Sequence, residues 1–299
     1  MRMRIGIIGG GSIGMLFASY LNQSGEVKLY TRTAGQAEII NRDGIWLNLK
    51  EQTKRLNVAA DCFDNWNGQD EMTIVAVKQY QLERVLAKIR ELPASGGKYM
   101  FLQNGMGHLK DLKKIADKEI YVGSVEHGAY RESENVVTHN GCGVTRVAPL
   151  NGTKSFLKTF VKNFSDSFPF VIEDDYYEML VKKLTVNAII NPLSALLRVK
   201  NGELLKNPHY FLIMEKIFRE IAQILPFKNP DQSFAQVVAV CEKTANNRSS
   251  MLKDIEQGRE TEIDGILGFL LEEAESKGKK VPLIDALYHL IKGLSAYGQ

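Results

Sequence analysis

Four polar side chains recur at helical spacing inside an otherwise apolar run. In the stretch Met179 to Arg198, MLVKKLTVNAIINPLSALLR, the residues Lys183, Asn187, Asn191 and Ser194 follow at intervals of four, four and three. On a helix this gathers an ammonium, two carboxamides and a hydroxyl on one stripe. The surrounding Leu180, Val181, Leu184, Val186, Ile189, Ile190, Leu193, Leu196 and Leu197 point in nearly every direction, so the helix is expected to be largely buried. A buried ammonium or carboxamide without a partner costs several kcal/mol. Either another part of the protein or a ligand must meet the stripe.

A second polar constellation lies in RSSMLKDIEQGRETEIDGILGFLLEE, from Arg248 to Glu273. Asn247 stands just upstream, Ser249 and Ser250 precede an amphipathic turn, and Glu260, Glu262 and Asp264 gather ahead of an apolar run. Ser250 reads as a helix N-cap, and Thr261 to Asp264 resembles a capping box opening the last long helix. A carboxylate from this segment could pair with Lys183 across two helices and tune its pKa.

Near the start, Gly9, Gly11, Ser12, Ile13 and Gly14 belong to GGGSIG, which follows the apolar run Arg4 to Ile8 and opens a helical pattern with Gly25 as its expected C-cap. A further strand, Val27 to Thr31, completes the dinucleotide-binding context of GxGxxG. Gly9 permits the turn, Gly11 lets a pyrophosphate approach the backbone, Gly14 allows close helix packing, and the helix N-terminus offers its N–H groups to phosphate. No carboxylate ends the second strand. Arg32 stands there instead, able to fork onto a 2′-phosphate, which favours NADP(H) over NAD(H). A solvated surface charge is the plainer reading of Arg32. Lys78 and Asn104 end two more expected strands, Met72 to Val77 and Tyr99 to Gln103, where ligands of open α/β sheets bind.

The elements that must carry these residues divide the chain in two. Ile45 to Leu49 and Lys54 to Val58 read as a hairpin bridged by KEQT, and β-like pieces continue at Val122 to Val125, Val136 to His139, Val144 to Val147 and Phe170 to Ile172. His127 and His139 each stand alone in the sequence and read as structural. From Tyr176 onward the pattern is helical, with breaks near Asn201-Gly202, Asn207-Pro208, Phe227 to Pro230 and Lys277-Gly278. The expected organisation is an α/β Rossmann-type dinucleotide-binding domain over 1–174 and an all-α domain over 175–299.

Composition is that of a soluble globular protein: 44% hydrophobic and 24% charged residues in 299. A net charge of +3 is too small to argue for nucleic acid or an anionic membrane surface. No unbroken apolar run reaches the ~18 residues of a span, and the N-terminal MRMRIGIIGG has no signal-peptide pattern. Cys62, Cys142 and Cys241 lie far apart with no metal-ligand spacing, which suggests reduced thiols, a cytoplasmic location and no metal site.

Taken together, GGGSIG, VAVKQYQ around Lys78, LQNGMG around Asn104, KLTVNAIINPLSAL from Lys183, NGEL from Asn201, and SSMLKDI with TEID resemble the ketopantoate reductase (2-dehydropantoate 2-reductase) family over nearly the whole chain. The resemblance implies a Rossmann-type domain followed by a helical domain, with the active site in the cleft between them. The implied reaction is NADPH-dependent reduction of a 2-oxo acid, ketopantoate, in pantothenate biosynthesis. It makes Lys183 the general acid and Glu262 the glutamate near it. It gives the substrate's hydroxyl end to Asn187 and Asn191, and its carboxylate to Ser250. Asn247 follows on a less distinctive match. Lys78 and Asn104 fall at the cofactor side, Asn104 also at the substrate, and Arg32 near the 2′-phosphate. Two other readings stay open: a reductase of another 2-oxo acid on the same scaffold, and a non-catalytic NADP-binding regulator. Monomer and homodimer are equally compatible with the sequence.

Overall fold

A computed structural model describes residues 2–93, 97–165 and 168–296, so the last three residues of the C-terminal tail lie outside it. The chain forms two compact units. One comprises Met1–Gln103 with Leu109–Met179, the other Asn104–His108 with Leu180–Gln299.

The first unit alternates strands and helices in chain order: β1 (Arg4–Ile8), α1 (Ser12–Leu21), β2 (Glu26–Thr31), α2 (Ala34–Asp43), β3 (Ile45–Asn48), β4 (Thr53–Leu56), β5 (Ala59–Cys62), β6 (Met72–Val75), α3 (Leu82–Glu91) and β7 (Lys98–Phe101). After the short α4 (Leu109–Leu112) come β8 (Glu119–Val125), β9 (Gly128–Arg131), β10 (Val136–Gly141), β11 (Thr145–Pro149), α5 (Lys154–Phe164) and β12 (Phe170–Ile172). The main sheet runs β12-β11-β8-β7-β6-β1-β2-β5. Its β5-β2-β1-β6-β7-β8 portion is entirely parallel and has the doubly wound order, with the reversal of strand order at β1 and β6. Central β1 is apolar on both faces because both are covered: Ile5 and Ile7 on one face are fully buried, and Ile8 on the other is 2% exposed.

A four-stranded sheet, β4-β3-β10-β9, covers α1 from the other side, touching it through β3, β9 and β10. This explains why α1 is buried almost all round, including Met15, Leu16, Phe17, Ala18 and Leu21. The hairpin expected from Ile45 forms as β3 and β4, antiparallel from Ile45↔Leu56 to Asn48↔Thr53. The sequence pattern marks neither β5 nor β9 as a strand. The first is short and lies at the sheet edge, and the second, GAYR, is largely unburied, so neither carries an apolar alternation. The C-cap of α1 is Asn22 rather than Gly25, whose N–H still reaches the Leu21 carbonyl at 2.8 Å.

The chain continues in α6 (Tyr176–Leu197), α7 (Glu203–Lys206), α8 (Pro208–Ile224), α9 (Pro230–Lys243), α10 (Ser250–Glu256), a π-helical turn (Asp264–Gly268), α11 (Phe269–Ser276) and α12 (Pro282–Ala296). By length and mean hydropathy α6 could cross a membrane. However, 72% of its apolar window is buried inside the protein, as in the core helix of a globular unit. The Glu220 carboxylate accepts from the N–H groups of Leu283 and Ile284, capping the start of α12 from α8. The fold is therefore α/β Rossmann-type followed by all-α.

Candidate active site

The glycine-rich turn joins β1 to α1 at the switch point of the parallel sheet. Gly9 has φ +118°, a conformation that glycine adopts without strain, and its N–H donates to the Tyr30 carbonyl at 2.9 Å. A Cβ on Gly14 would stand 1.8 Å from the Gly9 carbonyl oxygen, so the first turn of α1 closes directly on the glycine turn. A Cβ on Gly11 would meet nothing within 4 Å, and as N-cap of α1 Gly11 supplies no side chain to the helix N–H groups. Bare backbone, open space and an uncapped helix N-terminus fit the pyrophosphate of a dinucleotide. Ser12 and Ile13, both partly buried, begin the helix.

Two side chains stiffen this turn that the sequence did not single out. Gln36 Nε2, on α2, donates to the Gly10 carbonyl at 2.8 Å and to the Glu134 carbonyl at 2.8 Å. Arg131, on β9, donates to the same Gly10 carbonyl at 3.3 Å. Arg32 is exposed, just beyond β2 and one residue before Thr33, which caps α2. Lys78 is partly buried. Strand β6 stops at Val75, so Lys78 opens a 3₁₀ turn three residues past the strand rather than sitting at its last position. Gln103 Nε2 ties that loop down by donating to the Val75 and Val77 carbonyls at 3.1 and 3.0 Å.

In the helical unit the polar stripe is real. Asn187 and Asn191 are buried, at 8% and 7% exposure, yet their carboxamides make no side-chain hydrogen bond among the described residues. Lys183, one turn earlier, is partly buried. Ser194 has a protein partner: its hydroxyl donates to Ser249 Oγ at 2.7 Å and lies 3.2 Å from the Asn191 carbonyl. Ser249, not Ser250, is the N-cap of α10, accepting from the Leu252 N–H at 3.1 Å. This leaves Ser250 exposed at the first helical position, with its hydroxyl released from capping. The exposed Asn247 offers its backbone carbonyl to the Asn201 N–H at 3.0 Å.

Glu262 and Asn104 meet directly. Asn104 Nδ2 donates to Glu262 Oε2 at 2.8 Å, and the next residues dock on the π turn, the Met106 N–H reaching the Gly265 carbonyl at 3.0 Å. Gly105 has φ +78°, and a Cβ there would fall 2.0 Å from the Gly265 oxygen. Only glycine permits this approach. The capping box expected at Thr261 to Asp264 is replaced by this π turn: Asp264 is its first residue and accepts from the Tyr288 hydroxyl at 2.7 Å and Lys292 Nζ at 3.2 Å. π-Helical turns are rare and recur at functional sites.

Two family models match, "Ketopantoate reductase PanE/ApbA" over residues 5–152 and "Ketopantoate reductase PanE/ApbA C terminal" over residues 175–295. A 2-dehydropantoate 2-reductase of Bacillus subtilis (strain 168) is 43% identical over 295 residues, covering 98% of this chain and 97% of that protein. The chain belongs to the ketopantoate reductase family. Its structure resembles the crystal structure of a probable 2-dehydropantoate 2-reductase from Bacillus subtilis with TM-score 0.90 and 41% identity, over 98% of this chain and 100% of that one. A ternary structure of D-mandelate dehydrogenase with NADH and anilino(oxo)acetate matches with TM-score 0.91 at 25% identity, over 99% of both chains.

Within this ketopantoate reductase-family chain, a further buried polar residue lies in the helical unit. Asn201 of NGEL is buried; its Nδ2 donates to Thr244 Oγ1 at 2.9 Å, while its Oδ1 has no partner among the described residues. The signal was the motif itself, which composition could not rank above a turn dipeptide.

The two histidines do not stand alone, as the sequence spacing suggested. The Gly143 N–H donates to His127 Nδ1 at 3.3 Å, making that nitrogen an acceptor. His139 Nε2 then carries the proton shared with His127 Nδ1 at 3.2 Å, and His139 Nδ1 accepts from the Tyr20 hydroxyl at 2.8 Å. Phe168 stacks on His127 with ring centroids 4.1 Å apart. Burial first, and His139 second, push the His127 pKa down to about 4, keeping the pair neutral. The pair reads as core structure.

Proposed function

We propose that the chain is an NADPH-dependent 2-dehydropantoate (ketopantoate) reductase that forms pantoate for pantothenate and coenzyme A synthesis. The observation that carries this reading is the pair of largely buried residues Asn187 and Asn191, whose carboxamides make no side-chain hydrogen bond among the described residues, on the helix that also bears Lys183. Such groups are costly unless a ligand bonds them, and each amide can donate to and accept from a hydroxyl. The B. subtilis relative's name gives the reaction.

The turn Gly9, Gly11, Ser12, Ile13 and Gly14 would hold the cofactor pyrophosphate. Arg32 would take the 2′-phosphate, with Lys78 and Asn104 completing the cofactor contacts. When bound, NADPH supplies the hydride. Lys183 gives its proton to the carbonyl oxygen as C2 of the substrate accepts that hydride, so the ketone becomes the alcohol. Asn187 and Asn191 hold the 4-hydroxyl, and Ser250 donates to the carboxylate with Asn247 beside it. Asn104 holds Glu262 through one carboxylate oxygen, and Glu262 acts near Lys183 and the substrate. Three free thiols, Cys62, Cys142 and Cys241, favour the cytoplasm.

Steady-state oxidation of NADPH and of NADH with 2-dehydropantoate tests the reading. Turnover is expected, faster with NADPH, and Lys183→Ala should lose about 10²–10⁴-fold in kcat while still binding NADPH. Absence of turnover with 2-dehydropantoate would remove the assignment. A second reading, reduction of another 2-oxo acid, draws on the D-mandelate dehydrogenase likeness. A panel of 2-oxo acids with and without a 4-hydroxyl separates the two, because only a site built around Asn187 and Asn191 for the hydroxyl should reject its absence.

A further inference from the structure

Helix α10 starts against the polar stripe. The Ser194 hydroxyl on α6 donates to Ser249 at 2.7 Å, so Ser250 is fixed one residue beyond that bond. Lys253 follows Ser250 by three residues and lies on the same side of the helix. The charges around it are otherwise assigned. Arg248 pairs with Glu256, and Arg259 pairs with Asp254 at 2.9 Å. Lys253, though partly buried, makes no hydrogen bond or ion pair among the described residues.

An ammonium drawn partly out of water, with both nearby guanidiniums already holding their own carboxylates, sits in a field with positive charge to spare. The same field acts on Lys253 itself. Burial first, then Arg248 and Arg259, push its pKa below the usual lysine value, with Glu256 opposing. The nearby carboxylates, Glu256 and Asp254, are held by Arg248 and Arg259, so the Lys253 ammonium is left to meet an incoming anion. A serine hydroxyl alone is a modest anchor for a carboxylate, since it offers one neutral donor. A charge-assisted partner roughly doubles the strength of such a bond.

We propose that Lys253 is a second anchor for the substrate carboxylate beside Ser250, and that it sets the preference of this site for 2-oxo acids over their uncharged esters. The inference rests on the reductase reading and adds to it a residue that fixes the charge of the substrate.

The test compares each 2-oxo acid of the panel with its methyl ester in wild type, Lys253→Met and Lys253→Arg. The expected result is a fall of about tenfold in the acid-over-ester ratio of kcat/KM in Lys253→Met, carried by KM for the acid, and recovery of most of it in Lys253→Arg; tenfold corresponds to ~1.4 kcal/mol. NADPH binding, followed by fluorescence, and thermal melting report whether the variant is folded. An unchanged acid-over-ester ratio in folded Lys253→Met overturns the inference, as does an equal loss for acid and ester, which would mark a structural lysine. A wild type that reduces some other 2-oxo acid sinks only the substrate assignment, because the ratio can still be read. A wild type that reduces none sinks both.

Discussion

Asn187 carries an unusual combination for a buried residue: a carboxamide in the middle of a long apolar helix, with no side-chain hydrogen bond among the described residues. Removing a partnered buried amide is destabilising. Removing an unpartnered one in favour of an apolar group of similar shape should cost little or even stabilise. Asn187→Leu is therefore expected to hold or raise the melting temperature while KM for a 4-hydroxylated 2-oxo acid rises at least about tenfold. A melting temperature several degrees below wild type would mean that the amide serves the fold instead. The stripe was legible from residue types and spacing alone, because helical periodicity is a strict geometric rule. That Ser194 leaves the stripe for Ser249 was not legible. Both lie in polar-tolerant positions, and only the packing of α10 on α6 brings the two hydroxyls together. Ser249 also takes the cap that the sequence pattern assigns to Ser250.

Among elements, the strands and helices with strong periodicity follow from the sequence, including β1, α1, the β3–β4 hairpin and α6. The π turn at Asp264–Gly268 does not. The local sequence TEIDG has the residues of an ordinary helix start, whereas the turn meets groups distant in sequence: Tyr288 and Lys292 of α12 at Asp264, and the Met106 N–H at Gly265. Gly105 is the sharpest probe of that docking. Gly105→Ala combines a left-handed φ of +78° with a Cβ 2.0 Å from a backbone oxygen, so the loop must shift rather than relax a side chain. We expect a loss of ~2 kcal/mol or more in stability, together with reduced kcat as Asn104 is displaced from Glu262. Chemical denaturation and steady-state kinetics on the same preparation would check both. Wild-type values in the two would show that the docking is dispensable.

For the molecule as a whole, acid sensitivity should trace in part to the neutral histidine pair. The His127 pKa lies at about 4 in the folded state, against about 6.5 for an unfolded histidine. The unfolded chain thus binds more protons between these values. The stabilisation is complete above about pH 6.5 and is lost as pH falls toward 4, amounting to ~2 kcal/mol at the lower end. His127→Phe keeps an aromatic ring on Phe168 and removes the titration. Its stability should be lower than wild type at pH 7, but the further drop between pH 7 and 4.5 should be smaller. Equal drops in the two proteins, read from melting temperatures at each pH, would remove His127 from the acid response.

The short run Asn104–His108 has a consequence for how the molecule can be made and divided. Five residues from the middle of the N-terminal half belong to the helical unit, and Asn104 is bonded to a partner 158 residues further along the chain. No single cut therefore releases the second unit intact. A fragment beginning at Leu180 lacks the strand of backbone that covers Gly265 and the amide that holds Glu262. During synthesis the same five residues emerge long before the helices they complete. The helical unit thus cannot finish folding from its own contiguous sequence, and the two halves of the gene product are tied to one another by order of assembly as well as by the peptide bond between them.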